Sequence, residues 1–285
     1  MKQVLKVGWE TTKIDLRNKI VAFHRTGYPV LMKSVKSHTK KRRKKSSVIT
    51  PEILKTLKLA EIEAKLKAKA KKQLEKEKKF RTRRNNQLKQ QTPDFTVDGK
   101  GIHFEHILDD FASQITKGKI QIYNEASIQY ELAIFLKGII SNYKIQLERN
   151  VSHFKLDKKK FVKKEIDIVI FNKTERKKFA IEIKSPLTQE TDQMYKFCED
   201  IKFLEQLKES GFTNTFFLAI TPNSRFWSSG GKRGSIYEKF RKEKELYGMI
   251  ANPIRTSEAV VTLKGRHKIN WLTINDSTRY FVVRV

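Results

Sequence analysis

Between Glu165 and Lys184 the chain reads EIDIVIFNKTERKKFAIEIK, two alternating runs around a short polar segment. In EIDIVIF, Ile166, Ile168 and Ile170 fall on one face of a strand, and Glu165, Asp167 and Val169 on the other. FAIEIK repeats the pattern, with Phe179, Ile181 and Ile183 on one side and Ala180, Glu182 and Lys184 on the other. The intervening NKTERKK is short enough for an antiparallel connection and too short for a helical crossover. The stretch therefore predicts a hairpin that carries acids.

Glu182 and Lys184 are two apart and share a face, and strand pairing can set Asp167 beside Glu182. Converging carboxylates stay ionised together only where positive charge neutralises them. A hard divalent cation that takes oxygen ligands meets that need, Mg2+ first and Mn2+ as its substitute. The expected ligands are the carboxylates of Asp167 and Glu182 and the carbonyl of Ile183. Lys184 would orient or deprotonate a water, or steady negative charge on a phosphate. The same alternation also describes two amphipathic strands with a solvated charged face.

Asp167, fourteen intervening residues, then Glu182-x-Lys184 at the end of an apolar strand resembles the core motif of the PD-(D/E)XK nuclease superfamily, which includes many restriction endonucleases. Ile166 stands where the motif's name puts proline. The resemblance covers about Tyr123 to Thr221 and implies an α/β fold, a central mixed sheet flanked by helices in a restriction-endonuclease-like core. It further implies Mg2+-dependent hydrolysis of DNA phosphodiester bonds, as in a type II restriction endonuclease, and a homodimer acting on two-fold sites. Members of the superfamily often draw an extra acid from the helix before the first core strand. Here that helix is NEASIQYELAIFLKGII, with Ile128, Leu132, Phe135, Leu136 and Ile139 as its buried stripe and Glu131 on the stripe's flank. The resemblance carries the catalytic and metal-supporting role to Glu131. A position at the helix edge would explain Glu131 as well, and Glu125, its competitor, suits the helix N-terminus. A repair, recombination or transposon-associated nuclease would keep the same triad, a ribonuclease would differ in substrate, and a noncatalytic nucleic-acid-binding protein would explain the charge without the acids.

That charge is large: 61 Lys and Arg face 31 Asp and Glu over 285 residues, a net +30. Such a surface seeks polyanions, double-stranded DNA before an anionic membrane. The surplus is concentrated from Lys36 to Gln90, where 21 Lys and Arg meet 5 acids. Within it, Thr50 as N-cap, Pro51 and Glu52 open a helix expected to run to about Gln90. Its apolar stripe, Leu59, Ile62, Leu66, Ala70 and Leu74, is thin, so the helix reads as a basic arm for a nucleic-acid backbone or as a solvated helix or coiled-coil arm. Residues 1–36 hold too many apolar side chains for a disordered tail. Pro93, Gly99 and Gly101 then break the chain, separating a basic, largely helical N-terminal region, 1–92, from a nuclease-like α/β domain with C-terminal strands, 93–285 (core 123–221).

Within that domain Lys144 opens the first core strand, and Lys163 and Lys164 flank the cleft before the hairpin as nucleic-acid contacts. A helix is expected from Glu190 to Glu209, where Gln193 faces a phosphate or a metal-bound water, and TFFLAIT follows as a buried parallel strand. Arg225, Lys232 and Arg233, interleaved with glycines and aromatics, suggest a DNA-contacting loop, or an ordinary surface loop. SIYEKFRKEKELYG reads as a charged helix, and three later strands either extend the sheet or stand apart, with His267 in a basic turn near phosphate. His103, His106, Asp109 and Asp110 resemble metal ligands but show no partner cluster, and are assigned to packing and capping. The single Cys198 allows no internal disulfide or Cys-based zinc site, no run is long enough to span a bilayer, and the polar start lacks a signal-peptide core, so a cytoplasmic protein is expected.

Overall fold

A computed structural model describes residues 51–97, 99–228, 235–241, 244–253 and 259–285. The expectations for residues 1–50, and for Lys232 and Arg233, lie outside the described residues. By its contacts the chain divides into Met1–Ala64 and Lys65–Val285. In the first unit the described residues form the opening of helix α1 (Pro51–Leu88), with Leu54, Leu57, Leu59 and Ile62 exposed.

The second unit holds the rest of α1 and an α/β assembly. Its order is β1 (Phe95–Val97), β2 (Lys100–Ile102), α2 (Phe104–Thr116), α3 (Glu125–Ile139), β3 (Lys144–Asn150), β4 (Glu165–Phe171), β5 (Lys178–Lys184) and α4 (Glu190–Glu209). There follow β6 (Asn214–Thr221), α5 (Ile236–Arg241), β7 (Glu245–Ala251), β8 (Val260–Lys268), β9 (Leu272–Thr273) and β10 (Arg279–Arg284). Six strands form one mixed sheet in the order β3-β4-β5-β6-β10-β9. β3, β4 and β5 are antiparallel neighbours, β5 and β6 are parallel, and β10 returns antiparallel to β6. The chain reaches the parallel partner through α4, the crossover that parallel pairing requires.

Both faces of the sheet are covered. Ile168, Ile170, Phe179, Ile181 and Ile183 pack with Phe104, Phe111, Ile128, Leu132 and Leu136 of α2 and α3. Val169, Ala180, Phe217 and Phe281 pack with Phe197, Cys198, Ile201 and Leu204 of α4. β6 is buried on both sides, which is why TFFLAIT shows no alternation. Helix α3 starts at a capping box: Asn124 accepts from the backbone N–H of Ser127, whose hydroxyl accepts from that of Asn124.

Two readings from sequence are corrected. Among the described residues the charged helix after Ser235 is Ile236–Arg241, and Glu245–Ala251, whose first residues read as its continuation, is strand β7, where Leu246 and Ile250 point inward and Tyr247 and Met249 outward with period two. His267 lies in β8, not in a turn; it is buried and bonded to Glu205 at 3.1 Å. Of the C-terminal strands, β9 and β10 extend the sheet and β8 pairs with β7 in a separate ribbon. Among the described residues no helix is long and apolar enough to cross a membrane.

A candidate carboxylate–lysine active site

The β4–β5 ladder ends at Ile168 opposite Ile181, and one further step in the same register sets Asp167 across from Glu182. There side chains take over from the ladder. The Ile183 N–H donates to Asp167 Oδ2 at 2.7 Å, and the Asp167 N–H donates to Glu182 Oε1 at 3.3 Å. Each acid thus caps the other strand's backbone, which fixes both carboxylates at one end of the hairpin.

Two lysines close on them. Lys163, in the extended segment just before β4, bonds Glu182 and lies 3.1 Å from Asp200 and 3.9 Å from Asp167. The Lys184 ammonium donates to Glu125 Oε1 at 3.0 Å and to its neighbour's carbonyl, Ile183 O, at 2.9 Å, with Asp200 at 3.8 Å. Ammonium has three donors, so the third is left for Asp200 or for an incoming oxygen. The Ser185 N–H donates to the other Glu125 oxygen at 3.3 Å. On the far side of β4, Gln129 of α3 donates to the Asp167 carbonyl at 2.6 Å and to Glu148 at 2.8 Å. Glu148 of β3 stands at the level of Asp167 and holds a left-handed φ of 50°, a strained backbone next to the acids.

The electrostatics follow from burial. Glu182 is fully buried; desolvation, then the nearby charge of Asp167, pushes its carboxyl well above the usual range, against the pull of Lys163. Desolvation raises Asp200 likewise, against Lys184 and Lys163. Burial alone would lower both lysines. The charges of Glu182, Asp200 and Asp167 outweigh it at Lys163, and those of Asp200, Asp167 and Glu125 at Lys184, so both sit above the ordinary lysine value. Lys184 is therefore an ammonium at neutral pH, suited to donating a hydrogen bond and poorly suited to taking a proton.

The expected residues are distributed as follows. Asp167, Glu182, Ile183 and Lys184 come together. The α3 acid in the cluster is Glu125, and among the described residues no hydrogen bond or ion pair joins Glu131 to it; six residues along a helix put Glu131 about 240° from Glu125. Lys163 stands inside the cluster, while Lys164 next to it is exposed. Gln193 is half-buried in the first turn of α4. Arg225 lies against Glu190 at 3.6 Å on the rim of an open hollow of about 440 Å³ beside the N-terminus of α4. Asp200 escapes the sequence reading, although it lies three after Phe197 and four before Leu204, on the stripe that the helix buries.

Among the described residues no group of three or more His, Cys, Asp and Glu is arranged to hold a metal ion. The donors present are nevertheless all oxygen, with four acids, Asp167, Glu182, Asp200 and Glu125, around two lysines. Among the described residues the buried Asp200 Oδ2 has no hydrogen-bond partner. A hard divalent cation suits that donor chemistry and that excess of negative charge. Compared with known proteins, the chain matches no family model, no curated protein and no solved structure.

Proposed function

We propose that the chain is a Mg2+-dependent endonuclease acting on DNA, of the restriction-endonuclease-like kind. The observation that carries this reading is the convergence of Asp167, Glu182 and Lys184 at one end of the β4–β5 hairpin, from positions that resemble the PD-(D/E)XK motif. The order helix, three antiparallel strands, helix, parallel strand supports it, as does the net charge of +30. Asp167, Glu182 and the Ile183 carbonyl would hold Mg2+, or Mn2+ in its place. When bound, the cation offsets charge on the phosphate and its leaving oxygen.

The chain's own residues supply the rest. Lys184, kept protonated and aimed by Glu125, donates to a non-bridging phosphate oxygen or to the attacking water. Lys163, with its charge among the acids, lets them crowd together before substrate arrives. Water would add to phosphorus in line with the departing ester oxygen, whose bond to phosphorus breaks; one water proton passes to solvent and the departing oxygen takes a proton from solvent. One observation favours a second reading. Lys163 already bonds Glu182 and approaches Asp200, so the acids have a cationic partner within the chain, and the cluster would then be a structural brace in a nucleic-acid-binding protein.

Incubation with plasmid DNA separates the two. Cutting in Mg2+ that stops with a chelator and is lost in D167A and E182A is the expected result. Intact plasmid under both conditions, with DNA binding unchanged in D167A, would leave the second reading standing and remove the first.

A further inference from the structure

The cationic surface of α1 has no role in the chemistry above, yet its arrangement is specific. Between Glu77 and Leu88 one side of the helix is pinned to the α/β assembly. Glu77 accepts from the Thr273 hydroxyl at 2.7 Å, Arg81 meets Asp109 at 2.5 Å, Arg84 bonds Asp109, and Leu88 is buried. Lys65, Lys69, Lys72, Lys76, Lys79 and Arg83 are all exposed. Their spacings of four, three, four, three and four residues keep them within a sector of about 80° at 100° per residue. They make a straight stripe about 27 Å long, at 1.5 Å per residue, beside the pinned face.

We propose that this stripe is a docking surface for the phosphate backbone of duplex DNA, an inference that rests on the reading of DNA as the substrate. The partner follows from the chemistry of the surface. Like charges three and four apart on a helix repel by a few tenths of a kcal/mol for each neighbouring pair, and a partner with an equally regular row of negative charge offsets that repulsion along the row. The duplex supplies that row, one phosphate per roughly 1.7 Å of axis over nearly a full turn of helix. An anionic bilayer is a poorer fit, since the stripe carries no apolar side chain between its cations to enter the lipid boundary. The contacts of Glu77, Arg81, Arg84 and Leu88 anchor the C-terminal half of the stripe, so Lys76, Lys79 and Arg83 are presented on a helix already held in place.

The test is the salt dependence of binding to a 25-base-pair duplex in the presence of a chelator, so that cleavage plays no part. The quadruple variant K69Q/K72Q/K79Q/R83Q removes four charges and keeps good helix formers. The slope of log affinity against log salt is expected to become shallower by about 3 to 4, at about 0.9 for each phosphate that is no longer neutralised. A companion variant with Arg at the three lysines is expected to keep the parent slope, which separates the effect of charge from that of misfolding. An unchanged slope in the quadruple variant, an equal loss in the Arg variant, or stripe-dependent binding to phosphatidylserine vesicles or single-stranded RNA with none to the duplex would overturn the proposal. Because the chelator keeps divalent metal out of the assay, a shallower slope in a chain that never cuts plasmid would leave the stripe standing and defeat only the endonuclease reading.

Discussion

A lysine ammonium placed among three acids decides how the candidate site is held together. Lys163 compensates Glu182, Asp200 and Asp167, and removing one partner of a buried ion pair costs about 3 to 5 kcal/mol, because the others are left uncompensated. Partial exposure of Lys163 places K163Q at the lower end, about 3 kcal/mol, read by urea denaturation in a chelator. If the acids hold a divalent cation, Mg2+ should then stabilise K163Q by more than it stabilises the parent, since it takes over the missing charge. Equal or absent Mg2+ effects in the two proteins would favour the structural brace. Asp167, Glu182 and Lys184 were legible in the sequence because strand alternation and hairpin length suffice to bring them together. The sequence points to Glu131 over Glu125 because it shows only a flank of the apolar stripe. The bond from Lys184 to Glu125, in the first turn after the Asn124 cap, is a tertiary contact that helical periodicity does not contain.

Helix α4 joins the site to the β7–β8 ribbon, with Asp200 on the one side and Glu205 on the other. The Glu205 carboxylate accepts from the backbone N–H groups of Lys264 at 3.0 Å and Gly265 at 2.7 Å and meets the His267 ring at 3.1 Å. Burial would raise its pKa, but the His267 bond and the two backbone donors win and draw it down to about 2. The folded value lies below the unfolded one, so the stabilisation is complete above the ordinary glutamate value of 4.5 and is lost as pH falls from there through about 2. At 1.36 kcal/mol per pH unit its upper bound is about 3 kcal/mol. E205Q should flatten the part of the stability curve between pH 5 and pH 2.5, measured as unfolding free energy in urea; a curve as steep as the parent's would show that Glu205 is not its source. Helix α4 itself was legible to its ends from its apolar spacing. Strand β7 was not, because the charged run RKEKE that leads into it looks like a helix surface, and the inward Leu246 and Ile250 against the outward Tyr247 and Met249 mark the strand.

At the scale of the molecule, the sequence separates a basic arm ending near Gln90 from the α/β domain, whereas by contacts the division falls between Ala64 and Lys65. The difference has a physical cause. The apolar positions that looked suited to burial, Leu66 and Leu74, are exposed, while Glu77 and Arg84 are buried with Leu88. Attachment of this part of α1 therefore rests largely on ion pairs and hydrogen bonds, which leave no apolar period to read. The hub is Asp109, which pairs with Arg81 and Arg84 and accepts from the Tyr280 hydroxyl of β10 at 2.6 Å. Replacing it by Ala leaves the buried Arg84 guanidinium without its carboxylate, a loss of about 2 to 4 kcal/mol by the same reasoning as for other broken buried pairs. Where that free energy is lost tells how α1 is built in. If the helix were an independent arm, D109A would leave the unfolding midpoint of the α/β domain unchanged. Because Asp109 and Tyr280 belong to α2 and the central sheet, we expect instead a lower midpoint together with faster trypsin cleavage within residues 65–83, from local opening of the helix. Faster cleavage with an unchanged midpoint would show that the helix is held by the domain without contributing to its stability.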